Sequence, residues 1–461
     1  SPIQNKILLD GMIVYNAFHS IGLFSVFDAD IMRSADVYTG GFGAEYGGRI
    51  SSIMDITTRE GNKKHFGGKF AVSTFGAKVL LEGPLKRPKT LNDGSISYLV
   101  SAKTSYLDQT SKSIYSYADT NGLPYTFNDF YGKISFGAGS GSKADLFGFA
   151  FTDKAQYTNG TSLNWRNYGG GGKFVFLPRS SSALIDGNFA YSKYNIEMNE
   201  SSGLNRESGI SGFNMGLNST YFYGSNELKF GIDIVAFQTI FSLTNSQNRV
   251  ISEESGSTEL GLYAKYKWRI GDKLIIDPSI RLQYYATLTV FSPEPRIGLK
   301  YNITDDIRVK AAAGMYSQNL IAANSDRDVV NLFYGFIASP DNLQEDFTDK
   351  NGKTSEVKNQ LQKANHFILG AEWDILRGLT FNVEGYLKQF TQLVNVNRNK
   401  IFDDNEENAD RPDIYKKTYI VEKGDAYGID FALKYDYKRL YLWGVYSLGN
   451  ITRWDGIREY N

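Results

Sequence analysis

From about residue 66 onward, the chain alternates apolar and polar residues with a period of two, which is typical of half-buried β-strands. In 276–288, for example, isoleucines and leucines lie on one face, and charged or amide side chains lie on the other. We count about 17 such segments, which predicts an all-β chain. The polar faces of three representative segments carry Arg281, Gln283, Lys265, Lys267, Glu384 and Lys388.

The connections between these segments alternate in length along the chain. Short connections such as 224–226 and 271–273 alternate with longer ones such as 153–164, 197–208 and 318–363, and 289–292 is an exception. Outer-membrane barrels have tight turns at one end and long loops at the other, whereas a soluble sandwich has no reason to sort its loops in this way. A sheet that spans lipid must also close on itself, because every backbone polar group needs a partner. The pattern therefore predicts a transmembrane antiparallel β-barrel with apolar residues facing lipid and polar residues facing the lumen.

Composition excludes several other classes of protein. The 461-residue chain has 50 basic and 50 acidic residues, so no basic excess points to nucleic acid. The absence of cysteine excludes disulfides and thiol chemistry. His19, His65 and His366 are too far apart to form a spaced metal motif, and no Ser-His-Asp signature is present. We therefore expect no metal site, no cofactor and no enzymatic activity.

The stretch 37–61 does not fit the barrel pattern. Glycines concentrated between Gly40 and Gly48 lead directly into an alternating strand over 50–57. Glycine lets a backbone fold back in tight turns under steric crowding, as a compact segment inside a lumen would require. Without further signals, an ordinary loop would be the simpler interpretation.

Four short motifs in this N-terminal region occur in an order that resembles the plug of TonB-dependent outer-membrane receptors. Later in the chain, 293–296 (P-E-P-R) and 423–428 (K-G-D-A-Y-G) resemble strand openings of the same family. The four plug motifs are Leu8-Leu9-Asp10-Gly11, Phe27-Asp28-Ala29-Asp30-Ile31, Asp36-Val37-Tyr38-Thr39-Gly40, and Tyr46-Gly47-Gly48-Arg49-Ile50 with Ile53 to Thr58.

The resemblance implies two domains. Residues 1–62 would be the C-terminal part of a plug inside the lumen, and 63–461 would be most of a barrel that has about 22 strands when complete. The N-terminal half of the plug, the TonB box and the last barrel strands would then lie outside this sequence, since bacterial barrels have an even number of strands. Thr39 stands where the family usually carries Lys or Arg, so a plug–barrel ion pair from this position cannot be assumed.

The resemblance also implies a function in the outer membrane of a Gram-negative bacterium. Such receptors bind a scarce nutrient (a siderophore, cobalamin, an oligosaccharide or a peptide) and import it with energy from TonB and its inner-membrane proteins. The expected partners are this complex, the small ligand and membrane lipid, with a surface lipoprotein as a further candidate, and no nucleic acid.

Aromatic and amide side chains at the outer end of the lumen are the candidates for ligand binding, since they suit sugars and peptides. For each loop residue taken singly, a solvated surface remains the alternative. A passive porin or adhesin barrel, and a soluble β-rich protein, are the competing functions. The plug candidates are Tyr15, Asn16, His19, Phe42 and Tyr46, and the candidates in the longest loop, 318–363, are Asn319, Asn324, Arg327 and Tyr334.

Overall fold

The computed structural model describes residues 2–19, 22, 24–90, 93–117, 120–179, 181–201, 203, 205–244, 250–323, 333 and 335–460. The N-terminal part holds a small sheet of order β2-β1-β6-β5, in which β1 runs parallel to β6, and a separate hairpin β3-β4. Its elements are a 3₁₀ helix (Pro2–Gln4), β1 (Asn5–Leu9), β2 (Met12–Val14), β3 (Phe18–His19), β4 (Phe24–Ser25), β5 (Met32–Tyr38) and β6 (Ser52–Thr58).

The turn between β1 and β2 follows from its Asp-Gly sequence. Asp10 has φ 51° and Gly11 has φ 86°. A two-residue turn with positive φ at both central positions fits the right-handed twist of the flanking strands, and Asp-Gly is a favoured pair there. The turn brings Leu9 opposite Met12 and leaves the Asp10 side chain free to bind elsewhere.

Most of the later strands form one antiparallel barrel in chain order, with 17 strands of six or more residues and one two-residue strand in the described part of the chain. This confirms the predicted fold class. The strands and helices are β7 (Gly67–Val72), β8 (Gly76–Lys86), β9 (Ser95–Ser105), α1 (Leu107–Ile114), β10 (Tyr125–Gly137), β11 (Lys143–Gln156), β12 (Ser162–Phe176), β13 (Ala183–Asn199), β14 (Arg206–Tyr223), β15 (Asn226–Thr244), β16 (Val250–Ile270), β17 (Leu274–Tyr285), β18 (Val290–Asn302), β19 (Ile307–Gln318), β20 (Leu320–Ala322), β21 (Phe336–Ala338), β22 (Asp346–Thr348), β23 (Thr354–Glu356), β24 (Gln362–Leu376), β25 (Leu379–Val396), a 3₁₀ helix (Glu406–Asn408), α2 (Asp413–Lys416), β26 (Tyr419–Tyr437), β27 (Leu440–Trp454) and β28 (Glu459–Tyr460). Strands β20 to β23 lie in the connection from β19 to β24 and form two small separate sheets.

Polarity in the barrel is inverted relative to a soluble protein. On β17, Ile280 is 44% exposed, whereas Arg281 is 0% and Gln283 is 1% exposed. The outward apolar face and inward polar face agree with the predicted lipid and lumen faces. Exposed aromatic residues gather where strands meet the short turns, as in the interfacial girdles of such barrels: Tyr223, Trp268, Tyr301 and Trp443.

The connections differ from the sequence prediction at one end of the barrel. Turns such as 224–225 and 377–378 mark a short-turn end, and the opposite, long-loop end carries 106–124, 319–361 and 397–418. Strands β14, β15 and β16 have 18, 19 and 21 residues, more than the roughly 9–11 that cross a bilayer. Because strand pairing continues past the membrane, the predicted long loops at 153–164 and 197–208 shorten to 157–161 and 200–205.

The hydrophobic core lies inside the lumen, between the N-terminal sheet and the barrel wall. One cluster joins Leu9, Met12 and Ile56 of the sheet to Leu99 and Phe149 of the wall. Among the described residues, no helix has the length and apolar character needed to cross a membrane. The cluster shows that inward-facing side chains of the barrel strands pack against the N-terminal strands.

Candidate functional site

A cavity of about 310 Å³ lies between the N-terminal sheet and the wall, toward the long-loop end. Trp165, near the start of β12, and Phe336 of β21 place it at this end. Its volume lies at the lower end of the range of about 300–1,000 Å³ typical of small-molecule sites. We call it the outer cavity, and its aromatic and polar lining consists of Tyr15, Phe18, Trp165, Tyr194, Phe336, Asn5, Asn16 and Arg49.

A second cavity, of about 410 Å³, lies toward the short-turn end, and we call it the inner cavity. Lys143 at the start of β11 and Lys173 near the end of β12 place it there. Charged side chains of both signs make it a hydrated compartment, unlike the aromatic outer cavity. They are Lys6, Asp10, Glu45 and Asp55 of the N-terminal part, and Lys143, Lys173, Asp186, Lys229 and Asp233 of the wall.

The N-terminal sheet lies between the two cavities. Along β1, Asn5 and Ile7 line the outer cavity, whereas Lys6 and Leu8 line the inner one. Successive side chains of a strand point to opposite faces, so the period of two in β1 assigns its residues to the two compartments. A solute that passes between the compartments at this point has to displace β1 and β2.

Asp10 anchors the β1–β2 turn to the barrel wall through a buried network. Its carboxylate accepts hydrogen bonds from the Lys173 ammonium and from the Tyr131 hydroxyl, the latter at 2.9 Å, and lies 3.6 Å from Lys133 Nζ. The Thr58 hydroxyl on β6 also donates to it. Burial alone would raise the pKa of Asp10, but Lys133 and Lys173 lower it below its usual value, which keeps the carboxylate charged.

His19 of β3 forms a second contact with the wall. It is 0% exposed, its Nε2 lies 2.7 Å from an Asp129 oxygen, and its Nδ1 lies 3.5 Å from an Asp153 oxygen. Its ring stacks on Phe127 at 4.2 Å, and Lys103 pairs with the second oxygen of Asp129 at 2.8 Å. Burial lowers the pKa of His19, but the two carboxylates outweigh it and raise the pKa above its ordinary value of 6.5.

This pair of carboxylates predicts a pH-dependent attachment of the β3–β4 hairpin. Because the pKa of His19 is raised in the folded state, its stabilisation is complete below about pH 6.5 and is lost as pH rises through the folded-state pKa. Replacing His19→Gln is expected to increase amide hydrogen exchange in the hairpin several-fold at pH 5.5 and much less at pH 9. The control is His65→Gln at each pH, since His65 is exposed. An equal effect of His19→Gln at both pH values would contradict this assignment.

The glycine-rich segment 40–48 is held mainly through its backbone. Arg296 Nη1 donates to the carbonyl oxygens of Gly43 at 2.5 Å, Tyr46 at 2.7 Å and Phe42 at 3.3 Å. Arg281 Nη1 donates to the Ala44 carbonyl oxygen at 3.2 Å. Two wall arginines therefore bind this segment chiefly through its backbone, and the Arg296 guanidinium also lies 5.1 Å from the centre of the Phe42 ring.

Two further wall residues bind the ends of the same segment. Lys388 Nζ donates to the carbonyl oxygen of Thr39, so the wall supplies the cation at the position where Thr39 replaces the usual basic residue. His366 Nδ1 accepts from the Gly41 N–H at 3.4 Å, and its Nε2 lies 2.9 Å from the Ile50 carbonyl oxygen. An accepting Nδ1 requires the neutral ring with its proton on Nε2.

The glycines of the segment allow this close approach. A Cβ on Gly47 would lie 2.0 Å from Arg281 Nε, and one on Gly48 would lie 2.7 Å from a Glu259 carboxylate oxygen. Gly48 also has φ 71°, which side chains other than glycine rarely adopt. The glycines that are concentrated in this segment thus have a specific role, because their lack of a side chain lets wall side chains reach the backbone.

The structure separates the predicted ligand residues into different environments. Tyr15 and Asn16 line the outer cavity, and burial raises the pKa of Tyr15 to about 12. His19 belongs to the wall contact described above. Phe42 packs on Tyr316 at 4.3 Å, and the Tyr46 hydroxyl donates to Asp55 at 2.9 Å, so neither is an outer-cavity side chain.

Of the predicted loop residues, Asn319 is fully buried. Its amide nitrogen donates to the hydroxyls of Ser257 at 2.8 Å and Ser339 at 3.0 Å, which makes it a support of the loop. Asn324, Arg327 and Tyr334 lie outside the described residues.

Sequence reasoning did not single out four residues of the outer cavity. Trp165 and Tyr194 lie at inward positions of their strands, so parity was an available signal, but parity alone marks every inward residue equally. Arg49 lay within a plug motif, at a position the motif leaves variable. Phe336 lies in a connection, where no periodicity guides a prediction. Among the described residues, no group of three or more His, Cys, Asp or Glu is arranged to hold a metal ion.

Comparison with known proteins gives a consistent fold. A family model described as "TonB dependent receptor-like, beta-barrel" matches residues 86–460. None of the curated proteins compared with the chain matches it.

Solved structures with the same fold include three receptors and transporters. The alcaligin outer-membrane receptor FauA from Bordetella pertussis is 12% identical, with 98% of this chain and 72% of that chain covered and a TM-score of 0.66. A double mutant of the Serratia marcescens hemophore receptor HasR, in complex with its hemophore HasA and heme, is 11% identical, with 96% and 73% covered and a TM-score of 0.68. The copper transporter OprC is 11% identical, with 99% and 72% covered and a TM-score of 0.65.

Proposed function

Since the chain belongs to the TonB-dependent receptors, a family of outer-membrane transport proteins and not of enzymes, we propose that it imports a scarce small nutrient through its lumen with energy from TonB. Residues 1–62 act as the part of the plug present in this chain, and 63–461 form the transmembrane barrel. The nutrient binds at the long-loop end, which faces the outside, and leaves toward the periplasm at the short-turn end.

The observation that carries this proposal is the sheet between the two cavities. A passive porin needs an open water path, whereas here β1 lines the outer cavity with one face and the inner cavity with the other. The wall contacts to Asp10 and to the segment 40–48 hold this sheet in place, and those to His19 hold the β3–β4 hairpin beside it. Displacing it requires work, which a proton gradient acting through TonB would supply.

The class of nutrient is left open by the relatives. Their names refer to alcaligin, to a hemophore with heme and to copper, which share little chemistry. At identities of 11–12% these similarities support the fold and not a ligand. TonB with its inner-membrane proteins, and a surface lipoprotein, remain proposed partners.

Loss of the proton gradient is expected to abolish accumulation of the nutrient. Growth of a deletion strain on ferric siderophores, cobalamin, peptides and oligosaccharides identifies the substrate, and its radiolabelled form is then followed in cells. We expect a protonophore to reduce accumulation by more than about tenfold, while binding to the cell surface persists, because only plug displacement consumes energy. Uptake that continues at the same rate with the protonophore would contradict active import and favour a passive barrel.

A further inference from the structure

One cation in the wall of the outer cavity lacks a matching carboxylate. The Arg49 side chain belongs to a residue only 7% exposed, and it lines the cavity. Its Nε donates to the Asn5 carbonyl oxygen at 3.2 Å and its Nη1 to the Gly48 carbonyl oxygen at 2.6 Å. Both acceptors are neutral. In the described ranges, no carboxylate oxygen lies within 4.0 Å of a guanidinium nitrogen of Arg49, which is the limit for an ion pair.

Neighbouring arginines show what a compensated site looks like in this protein. Arg281 pairs with Asp233 at 2.7 Å, and Arg296 pairs with Glu294 at 2.6 Å. A buried cation without such a partner is strongly unfavourable, so the site has an unused capacity for an anion.

The surroundings of Arg49 carry an excess of positive charge. The carboxylate that acts on it is Glu259, which also faces Lys6, Arg281 and Asp233. Lys6 itself is buried and donates to the Gly47 carbonyl oxygen at 3.1 Å, and burial lowers its pKa to about 8. The three cations Lys6, Arg49 and Arg281 therefore share two carboxylates, Glu259 and Asp233, and an additional anion would be stabilised here.

Apart from the amides of Asn5 and Asn16, the rest of the cavity is apolar and aromatic. Phe336 meets Tyr15 edge-to-face at 5.8 Å and Tyr194 edge-to-face at 5.5 Å, and Trp165 completes the wall. Such rings favour a planar apolar body. A neutral sugar would not use the positive charge of Arg49, whereas an anionic group would.

We propose that the outer cavity binds a small ligand with a planar apolar body and one anionic group, and that Arg49 binds the anionic group. This assignment deepens the proposed function and rests on it, because it names the class of ligand for the cavity where the nutrient would bind. The anion accepts hydrogen bonds from the guanidinium, and the ring lies among Tyr15, Trp165 and Phe336.

The test uses two probes, 1-naphthoate and 1-naphthamide. They share the same ring system and have similar size, but the first is an anion and the second is neutral. Their affinities are measured by equilibrium dialysis with the purified protein in lipid nanodiscs, against empty nanodiscs, at pH 7.5. We expect wild-type protein to bind naphthoate about tenfold more tightly or better, as a hydrogen bond to a charged group implies. Arg49→Gln should remove the preference and leave naphthamide binding unchanged, whereas Arg33→Gln, at an exposed position of β5, should retain it.

Equal affinity of wild-type protein for the two probes would overturn the proposal, and so would a preference that survives Arg49→Gln. Heat-modifiable migration on a gel reports whether each variant is folded. If Arg49→Gln does not fold, Arg49→Lys replaces it, and that variant must keep part of the preference because it keeps the charge.

The assay contains neither TonB nor a proton gradient, so it can fail independently of the proposed function. Protonophore-resistant uptake together with a naphthoate preference would refute active import alone. Protonophore-sensitive uptake without the preference would refute the ligand class alone.

Discussion

An Asp10→Asn variant is expected to open the β1–β2 hairpin about 10²–10⁴ times more often than the wild-type protein. The substitution keeps the shape of the side chain and removes its charge. Lys133, whose side chain is 1% exposed, and Lys173 then lose the carboxylate that both approach, although Asp145 still lies 3.3 Å from Lys133 Nζ. Removing one partner of a buried ion pair typically costs about 3–5 kcal/mol, which gives this range.

Hydrogen exchange of the β1 and β2 amides in detergent-solubilised protein measures this opening. The matched control is Asp36→Asn, because Asp36 is exposed on β5 of the same sheet. Exchange in the barrel strands should be unchanged in both variants. If Asp10→Asn exchanges no faster than Asp36→Asn, the network does not hold the hairpin.

An Arg296→Gln variant is expected to release the glycine-rich segment while the β1–β2 hairpin stays in place. It removes a donor to three carbonyl groups and a cation that lies 4.2 Å from the ring centre of Tyr316. It also leaves Glu294, which is 1% exposed, without its 2.6 Å partner. Together these losses should amount to several kcal/mol, since a buried charge without a partner alone costs about 3–5 kcal/mol.

Limited proteolysis and hydrogen exchange of 40–48 test this second prediction. Arg308→Gln is the control, since Arg308 on the neighbouring strand pairs with Glu372 and Asp374 near the short-turn end. Faster cleavage in Arg308→Gln than in Arg296→Gln would show that the segment responds to general weakening of the wall. Faster exchange in β1 than in 40–48 would place the main contact of Arg296 elsewhere.

The sequence was sufficient for the barrel because its signal is local. Alternation in a strand reports which face each residue takes, so Ile280 and Arg281 were placed correctly on the lipid and lumen faces. Where strands end was not local information. Strands such as β16 continue beyond the membrane as long as a neighbouring strand supplies hydrogen bonds. The residue pattern does not show where this pairing stops, so the predicted loops were too long.

The site was less predictable for a related reason. Asp10 and Lys173 are far apart in sequence, and no residue pattern near either of them indicates that they form an ion pair. Apart from the contact with the Phe42 ring, the contacts of Arg296 with 40–48 end on backbone carbonyl groups, which every residue has, so the residue types of this segment do not indicate them. Tyr15 and Asn16 were proposed as aromatic and amide side chains of the plug region. Arg49 became notable only once the structure showed the cavity beside it and the lack of an ion-pair partner.

Alternate residues of β1 line the outer and the inner cavity. This arrangement depends more on the number of residues in the strand than on which apolar residues it contains. Replacing Ile7 by another apolar residue keeps the division between the compartments, because each position keeps its face. Deleting one residue ahead of the Asp10-Gly11 turn would shift the strand by one position and exchange its faces. The Lys6 ammonium would then enter the aromatic outer cavity, and an isoleucine side chain would meet the charges of the inner one. The division between the outer and the inner cavity therefore depends on whether a residue occupies an odd or an even position of β1. It tolerates many substitutions that keep the character of the side chain, but no single-residue deletion.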